Sequence, residues 1–371
     1  MDKDEKICLV ALNQILNNND KKVKELLSHS GSAEALFILG KSKLLKHYGK
    51  DHKFIQDISN PNTLIKAKEE IKWANNEGIE ILCYSDTNSG YPSIMLEYVD
   101  YPIVLYKKGD FCLNSNKLIS IVGTRKATSY GKTICNEIVR DMAKIIPDAA
   151  IVSGLAYGID IAAHKAALEN NLPTVAVLGS GLDNIYPVAH ASIANKICEN
   201  GAVITEFCRQ NRSFKINFLQ RNRIIAGISH ALIVVESKER GGSMITANLA
   251  KEYFTEVFAV PGKLSDPYSA GCNLLISEQN AMSFHSALKF AINMNWYTPK
   301  SVNPNLKSIS IWPPDSEKEK ILVALNSYNE LNIDNLLQIT ELPALQLSSL
   351  LLDLELEGRI ISLPGKRYSS S

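Results

Sequence analysis

The chain has 371 residues, of which 45% are hydrophobic, so it is long enough for two or three domains with sizeable cores. Its 40 Lys and Arg residues nearly balance its 39 Asp and Glu residues, which leaves a net charge of +1. This balance excludes a chain that binds polyanions over its whole surface, so any nucleic-acid site must be a local patch.

The seven cysteines and seven histidines lie singly along the chain, without a CxxC pair or an HExxH motif. The sequence therefore predicts no disulfide framework, no metal site and no cofactor, and a reducing cytoplasm fits best. The N-terminal segment lacks the apolar region of a secretory signal, and no apolar run reaches about 18 residues. We expect no membrane contact.

The first 75 residues are predicted to form a small helical (SAM-like) domain, in which Asn, Asp and Gly turns join short helices. The expected helices are Ile7 to Leu16, Val23 to Ser28, Ala33 to Leu39, Leu44 to Tyr48 and Thr63 to Asn75. From Gly78 the pattern changes to two short β-rich runs, GIEILC and YPIVLY. These runs predict strands at the edge of the sheet that follows.

Strands and helices then alternate from Leu118 to about Phe290, which is typical of a doubly wound, mostly parallel α/β sheet. The predicted strands are 118–122, 149–153, 174–178, 202–206, 231–236 and 256–260. A Gly or Ser turn follows most of them, and in such a sheet these turns share the carboxyl edge. A single strand of nucleic acid presents successive phosphates and can bind several adjacent anion sites, whereas a nucleotide cofactor needs only one phosphate-binding turn.

The first of these turns, GTRKATSYG, combines Gly123 and Arg125 with Ser129, which is expected to cap the next helix. Free amides at the helix start and the Arg125 guanidinium would together bind phosphate. A loop arginine that only pairs with a carboxylate is the alternative. The P-loop pattern fails because Lys126 occupies its first glycine position, and the glycines of GxGxxG are missing.

Ser213 to Gly227 forms the second informative segment, SFKINFLQRNRIIAG. Its Lys215, Arg221 and Arg223 alternate with aromatic residues, and cations beside rings that stack on bases are typical of single-strand binding. An amphipathic helix with buried phenylalanines and solvated or acid-paired arginines explains the same pattern.

Residues 293–315 are rich in Asn, Pro and Ser and are predicted to be a linker. The tail follows with three helices, 317–326, 333–339 and 343–357, then a stop at Gly358 and a strand pair, which describes a winged helix. Its third helix offers almost no Lys or Arg for a DNA groove. A module that contacts another protein is therefore an alternative to a DNA reader.

Most of residues 118–280 are covered, in order, by seven motifs: GTRKATSYG, SGLAYGIDIAAH, AVLGSGLDNIYP, ITEF, RNRIIAGIS, GGSMITANLA and FAVPG. Together these motifs resemble the bacterial DNA-processing protein A (DprA, or Smf) proteins of natural transformation. The resemblance implies an extended Rossmann-like domain that binds single-stranded DNA without catalysis, forms a homodimer and loads a RecA-type recombinase onto incoming strands.

The resemblance also assigns the DNA-contacting arginine of the first turn to Arg125, and a Lys and Phe three residues apart to Lys215 and Phe218. Two departures are Phe218-Leu219 in place of Phe-Pro, and CRQNRS (208–213) in place of a Gly/Pro-rich loop. We expect dimerisation through an apolar helix near Asn273 to Ile292.

The complete expected DNA-binding set is Gly123, Arg125, Ser153, Gly154, Lys215, Phe218, Arg221, Asn222, Arg223, Gly241, Gly242 and Ser243. The predicted domains are 1–75 (helical), 76–292 (extended Rossmann-like), 293–315 (linker) and 316–371 (winged helix).

The alternative function is a Rossmann-like enzyme such as a nucleoside-monophosphate phosphoribohydrolase. Glu206 or Glu236 would be its acid or base, and residues 241–243 would hold phosphate. Alternatively, Glu206 and Glu236 have a structural role, in which they orient Arg221 or Arg223. Asp160 and His164 are expected to be a helix cap and a packed histidine.

Overall fold

The structure is a computed structural model that describes residues 2–16, 20–39, 44–46, 53–115, 117–211, 214–297, 317–328, 330–363 and 365–370. The chain divides into two compact units, Met1–Thr298 and Pro299–Ser371. The first contains N-terminal helices and a large mixed sheet, and the second contains a winged helix.

The N-terminal helices pack on one end of the sheet. Their bounds are α1 (Lys3–Leu16), α2 (Asp20–Ser30), α3 (Ala33–Ile38), α4 (Lys53–Ile58) and α5 (Pro61–Asn76). Apolar residues of these helices form one core with Ile81, Val104 and Tyr106 of the first two strands. Because they share this core with the strands, the helices form part of the sheet unit.

Among the described residues, nine strands form the sheet, in the order β1-β2-β6-β5-β4-β3-β7-β8-β9. Their bounds are β1 (Glu80–Cys83), β2 (Val104–Lys108), β3 (Leu118–Val122), β4 (Ala150–Ser153), β5 (Thr174–Val177), β6 (Ala202–Thr205), β7 (Ala231–Val234), β8 (Glu256–Ala259) and β9 (Met282–Ser283). Strands β3 to β9 pair in parallel, whereas β2 runs antiparallel to both β1 and β6. The doubly wound sheet and the added edge strands confirm the predicted fold.

Helices cover both faces of this sheet. They are α6 (Ser129–Ile145), α7 (Ile159–Glu169), α8 (Ala191–Asn200), α9 (Lys215–Ile228), α10 (Gly242–Glu252), α11 (Ala270–Ser277) and α12 (Ala287–Asn293). One face buries residues of α9, α10 and α11, and the other buries residues of α6, α7 and α12 around the central strands. The central strands are buried on both faces, which explains their continuous apolar sequences.

The chain order reverses at β3, where β4, β5 and β6 lie on one side and β7 and β8 on the other. In an open parallel sheet, such a reversal opens a crevice beyond the carboxyl ends of the two strands involved. The turns after β3 and β7 therefore lie beside each other.

Two local predictions are wrong. Thr128, rather than Ser129, caps α6, because the Thr128 hydroxyl accepts the Gly131 N–H at 3.0 Å. The single helix predicted near Asn273 to Ile292 is α11 and α12 with β9 between them, since Gln279 adopts a left-handed conformation that ends the first helix.

The winged helix contains α13 (Glu317–Tyr328), β10 (Leu331–Asn332), α14 (Ile333–Thr340), α15 (Ala344–Leu356), β11 (Ile360–Leu363) and β12 (Arg367–Ser370). Its strands pair antiparallel in the order β10-β12-β11, and Leu325, Leu336, Leu347 and Leu351 lie in its core. Most of the predicted linker, and the end of the helix predicted at Leu44 to Tyr48, lie outside the described residues.

Candidate functional site

A cavity of about 670 Å³ lies at the carboxyl edge of the sheet, where the chain order reverses. The turn after β3, the start of α9 and the loop between β7 and α10 form its walls. Its polar and charged lining residues are Thr124, Arg125, Asp160, Lys215, Arg221, Asn222, Ser237, Lys238, Arg240, Ser243 and Thr246. Five of these residues are basic and one is acidic, so the cavity is strongly cationic although the whole chain is nearly neutral.

Glu236, which follows β7, holds the turn that carries Arg125. Its backbone carbonyl accepts the Thr124 N–H at 2.8 Å, and its carboxylate accepts both the N–H and the hydroxyl of Thr128. A Cβ at Gly131 would lie 2.2 Å from this carboxylate, so the glycine lets the carboxylate approach the start of α6 closely. Gly158, at φ +83°, supports the other side of the turn, where a Cβ would lie 2.1 Å from the Thr124 carbonyl oxygen. The turn is therefore fixed on both sides.

Arg125 and Phe218 form the centre of the exposed lining. The Arg125 guanidinium lies 5.3 Å from the centre of the Phe218 ring, and the Tyr186 ring lies 5.4 Å from it. Phe218 also packs against Gly179, where a Cβ would lie 2.8 Å from the ring. These contacts fix the orientation of an aromatic ring that is half-buried beside an exposed cation.

Helix α10 begins at the cavity with Gly242, preceded by Gly241 as its N-cap. Gly241 has no side chain that could accept a hydrogen bond from the first N–H groups of the helix. The Ser243 hydroxyl instead donates to the hydroxyl of Ser237 at 2.8 Å. A helix end with free N–H groups and a positive dipole favours an anion, and two glycines let that anion approach the backbone closely.

Arg221 lies beneath the cavity and is only 3% exposed. It donates to the Val177 carbonyl, and a Cβ at Gly154 would lie 2.0 Å from its guanidinium. Burial lowers its pKa to about 10, although the neighbouring Asp160 carboxylate acts in the opposite direction. Burial likewise raises the pKa of Asp160, which Arg221 opposes. This pair supports the floor of the site, below the exposed cations that line it.

Arg223 faces away from the cavity lining and pairs with the buried Glu206. The backbone carbonyl of Glu206 also accepts the side-chain amide of Asn13 from α1, at 3.0 Å. The structure thus confirms that Glu206 holds an arginine, as the second interpretation of this carboxylate predicted. Glu236 instead binds Thr128.

Nine of the twelve predicted site residues line the cavity: Gly123, Arg125, Lys215, Phe218, Arg221, Asn222, Gly241, Gly242 and Ser243. Ser153, Gly154 and Arg223 lie outside the lining. Ser153 is buried and donates to the Ile121 carbonyl at 2.6 Å, so it joins strands β3 and β4.

The prediction omitted Lys238 and Arg240, which are exposed and line the same cavity. The sequence did carry a signal for them, because both lie within the three residues before the GGS turn in the segment SKERGGS. Lys238 also lies 5.0 Å from the ring of Tyr268, which limits its range of positions.

Asp160 and His164 are both buried and do not form an open acid–base pair. His164 is fully buried, with Nδ1 2.7 Å from the Thr174 hydroxyl, and burial lowers its pKa to about 3. Among the residues that the structure describes, no group of three or more His, Cys, Asp or Glu side chains could hold a metal ion. The same residues contain no helix that is long and apolar enough to cross a membrane.

Two family models match the chain: DNA recombination-mediator protein A over residues 80–295, and the DprA winged helix domain over residues 310–366. The DNA processing protein DprA of Bacillus subtilis is 40% identical over 198 residues, which cover 53% of this chain and 66% of that relative. The match thus spans about two thirds of the relative's length.

Two solved structures are also similar to this chain. DNA processing protein A from Streptococcus pneumoniae is 33% identical, with a TM-score of 0.55 over 69% of this chain and 92% of its own. DNA processing protein A from Helicobacter pylori, whose structure describes its single-stranded DNA binding mode, is 29% identical, with a TM-score of 0.52 over 58% of this chain and 96% of its own. The chain belongs to the DNA recombination-mediator protein A family, the DprA and Smf proteins.

Proposed function

We propose that this protein binds single-stranded DNA at the cationic cavity, without catalysing a reaction on it. The observation that carries the proposal is the arrangement of exposed Arg125, Lys215, Lys238 and Arg240 around Phe218 and the open end of α10. Cations would neutralise successive phosphates while the ring stacks on a base, and both contacts are independent of sequence.

The geometry favours a single strand over a duplex. Phe218 is half-buried and braced by Tyr186 and Gly179, so a base must leave its own stack to reach the ring. Unpaired bases do this at little cost, whereas a duplex must first lose base pairing and stacking. The single-stranded DNA binding mode described for the Helicobacter pylori relative supports the same choice.

We extend the proposal to protection of incoming DNA and loading of a RecA-type recombinase in natural transformation, by a homodimer. The match to a recombination-mediator family over residues 80–295 supports this extension. A mediator must hold a strand without modifying it, which fits a cavity whose acidic lining residue, Asp160, is buried beside Arg221.

The test compares binding of labelled single-stranded and double-stranded oligonucleotides of equal length over a salt series. Four exposed cations predict a slope of log affinity against log salt near −3, and an affinity about 50-fold lower at four times the salt. Arg125→Ala and Lys215→Ala should each weaken binding to every sequence alike and reduce the slope by about 0.7. Phe218→Ala should weaken binding by about 1–3 kcal/mol without changing the slope.

Lys132→Ala is the matched control, because Lys132 is an exposed lysine of α6 outside the cavity lining. Its affinity should match that of the unchanged protein. Equal affinity in Arg125→Ala, Lys215→Ala and the control would refute the site, and tighter binding of the duplex would refute the ligand.

A further inference from the structure

The third helix of the winged-helix unit, α15, carries an exposed row of leucines. Leu345, Leu352 and Leu356 are 91%, 57% and 79% exposed, and their spacing places them on one side of the helix. Leu347, Leu351 and Leu354 occupy the opposite side and are buried in the core of the unit. The exposed leucine row is about 16 Å long, since each helical residue rises 1.5 Å.

Acidic side chains flank this leucine row. Residues 344–357 contain Asp353, Glu355 and Glu357 but no Lys or Arg, and helical spacing places Asp353 and Glu355 on either side of the leucines. Lys318 of α13 neutralises part of this charge, at 3.4 Å from Asp353 and 2.8 Å from Glu357. The described residues of the whole unit include eight acidic and five basic side chains.

This surface does not suit DNA, although the third helix of a winged helix is the one that commonly enters a DNA groove. A phosphate backbone would meet carboxylates, and exposed leucines offer no hydrogen bonds to base edges. A second copy of α15 is also disfavoured, because pairing two identical rows would bring their flanking acids together.

We propose that the leucine row of α15 binds a basic amphipathic helix of a partner protein. Apolar residues of the partner would pack between Leu345, Leu352 and Leu356, and its flanking Lys or Arg side chains would pair with Asp353 and Glu355. Recognition through apolar anchors one helical turn apart, with charges on either side, is a common mode of helix binding. The proposal is independent of the DNA site.

The test uses the full chain and labelled synthetic amphipathic helices of about 18 residues, which form five turns. One peptide has lysines beside its apolar row, and a second has glutamates at the same positions. Fluorescence anisotropy should detect binding of the lysine peptide at least tenfold tighter than the glutamate peptide, with affinity falling as salt rises. Leu352→Glu should weaken lysine-peptide binding at least tenfold, and Glu355→Lys should narrow the preference between the two peptides.

Leu264→Glu is the matched control, because Leu264 is a 94% exposed leucine of the sheet unit. It should leave peptide binding unchanged, and far-UV circular dichroism should show that Leu352→Glu remains folded. Failure to bind the lysine peptide, equal binding of both peptides, or equal loss in Leu264→Glu would overturn the proposal. If the wild-type chain self-associates and only Leu352→Glu does not, the surface binds a second copy instead. If the wild-type chain binds duplex DNA and Leu352→Glu does not, the surface binds DNA.

Discussion

At the scale of single residues, burial decides which polar side chains near the cavity support the fold. His164 is completely buried in α7, and its Nδ1 contacts the Thr174 hydroxyl at 2.7 Å. Burial is the main cause that lowers its pKa from 6.5 to about 3, with Arg221 and His190 acting in the same direction. The folded protein therefore needs this imidazole neutral.

The pKa of His164 predicts that acid destabilises the protein. Because the unfolded chain takes up this proton below about pH 6.5 and the folded chain does not, the stabilising effect is complete above that pH and is lost progressively as pH falls toward 3. Between pH 6 and 5 the loss should be about 1 kcal/mol. Urea unfolding should be measured for the wild-type protein and for His164→Gln, whose glutamine cannot take up this proton. The difference in unfolding free energy between the two proteins should narrow by that amount between pH 6 and pH 5.

The exposed His285 provides the control for this measurement. His285→Gln, which removes an exposed histidine and leaves His164 in place, should retain the pH dependence of the wild-type protein. If the difference in unfolding free energy between the wild-type protein and His164→Gln stays constant from pH 7 to pH 5, the folded protein does not hold the His164 imidazole neutral.

At the scale of elements, the junction of α6 with the end of β7 positions the cation-bearing turn. Glu236 contacts the backbone at Thr124 and Thr128, and its carboxylate fills the space beside Gly131. A negative charge at a helix start is favourable, and here it also fixes the turn that holds Arg125. Helix packing and the proposed DNA contact thus depend on the same carboxylate.

Gly131→Ala should disturb this junction, because its Cβ would lie 2.2 Å from the Glu236 carboxylate. We expect a loss of about 1–3 kcal/mol in unfolding free energy from overpacking, together with weaker single-strand binding as the turn moves. Urea unfolding and oligonucleotide titration measure the two effects.

Gly242→Ala is the stability control, since no heavy atom lies within 4 Å of a Cβ at that position. It should be as stable as the wild-type protein or slightly more stable, because alanine restricts the unfolded chain. Equal stability of Gly131→Ala and the wild-type protein would show that Glu236 can move away without cost.

At the scale of the whole molecule, the strands of the sheet could be predicted from the sequence, but the partners of individual charged side chains could not. Strand β3 matches its prediction at both ends, and β4 to β8 differ by no more than two residues, because buried β-rich runs between glycine turns are strong local signals. The partners of Glu236 and Arg223 lie 108 and 17 residues away, so local patterns could not identify them. Lys238 and Arg240 line the same cavity as Arg125 although they are more than 100 residues away from it in the sequence.

The edge of the sheet at β9 is the surface where we expect two copies to associate. Strand β9 has only two residues and is the last strand of the sheet among the described residues. Met282 of β9 and the nearby Leu288 and Ile292 are 39%, 42% and 40% exposed. Leu288 and Ile292 lie four residues apart in α12, on one face of the helix. An apolar helix face beside an edge strand offers both side-chain packing and backbone pairing to a second copy.

Sedimentation velocity of the 41.0 kDa chain should therefore show a dimer that Ile292→Glu converts to a monomer. Ile65→Glu, at a 52% exposed position of α5, should remain dimeric.

Because each protomer keeps its own cavity, the monomeric variant should bind a short oligonucleotide with unchanged affinity. It should bind a strand long enough to span two cavities about 10²-fold more weakly, since the second contact is no longer intramolecular. A wild-type monomer at micromolar concentration, or equal loss of affinity on short and long strands, would refute this association.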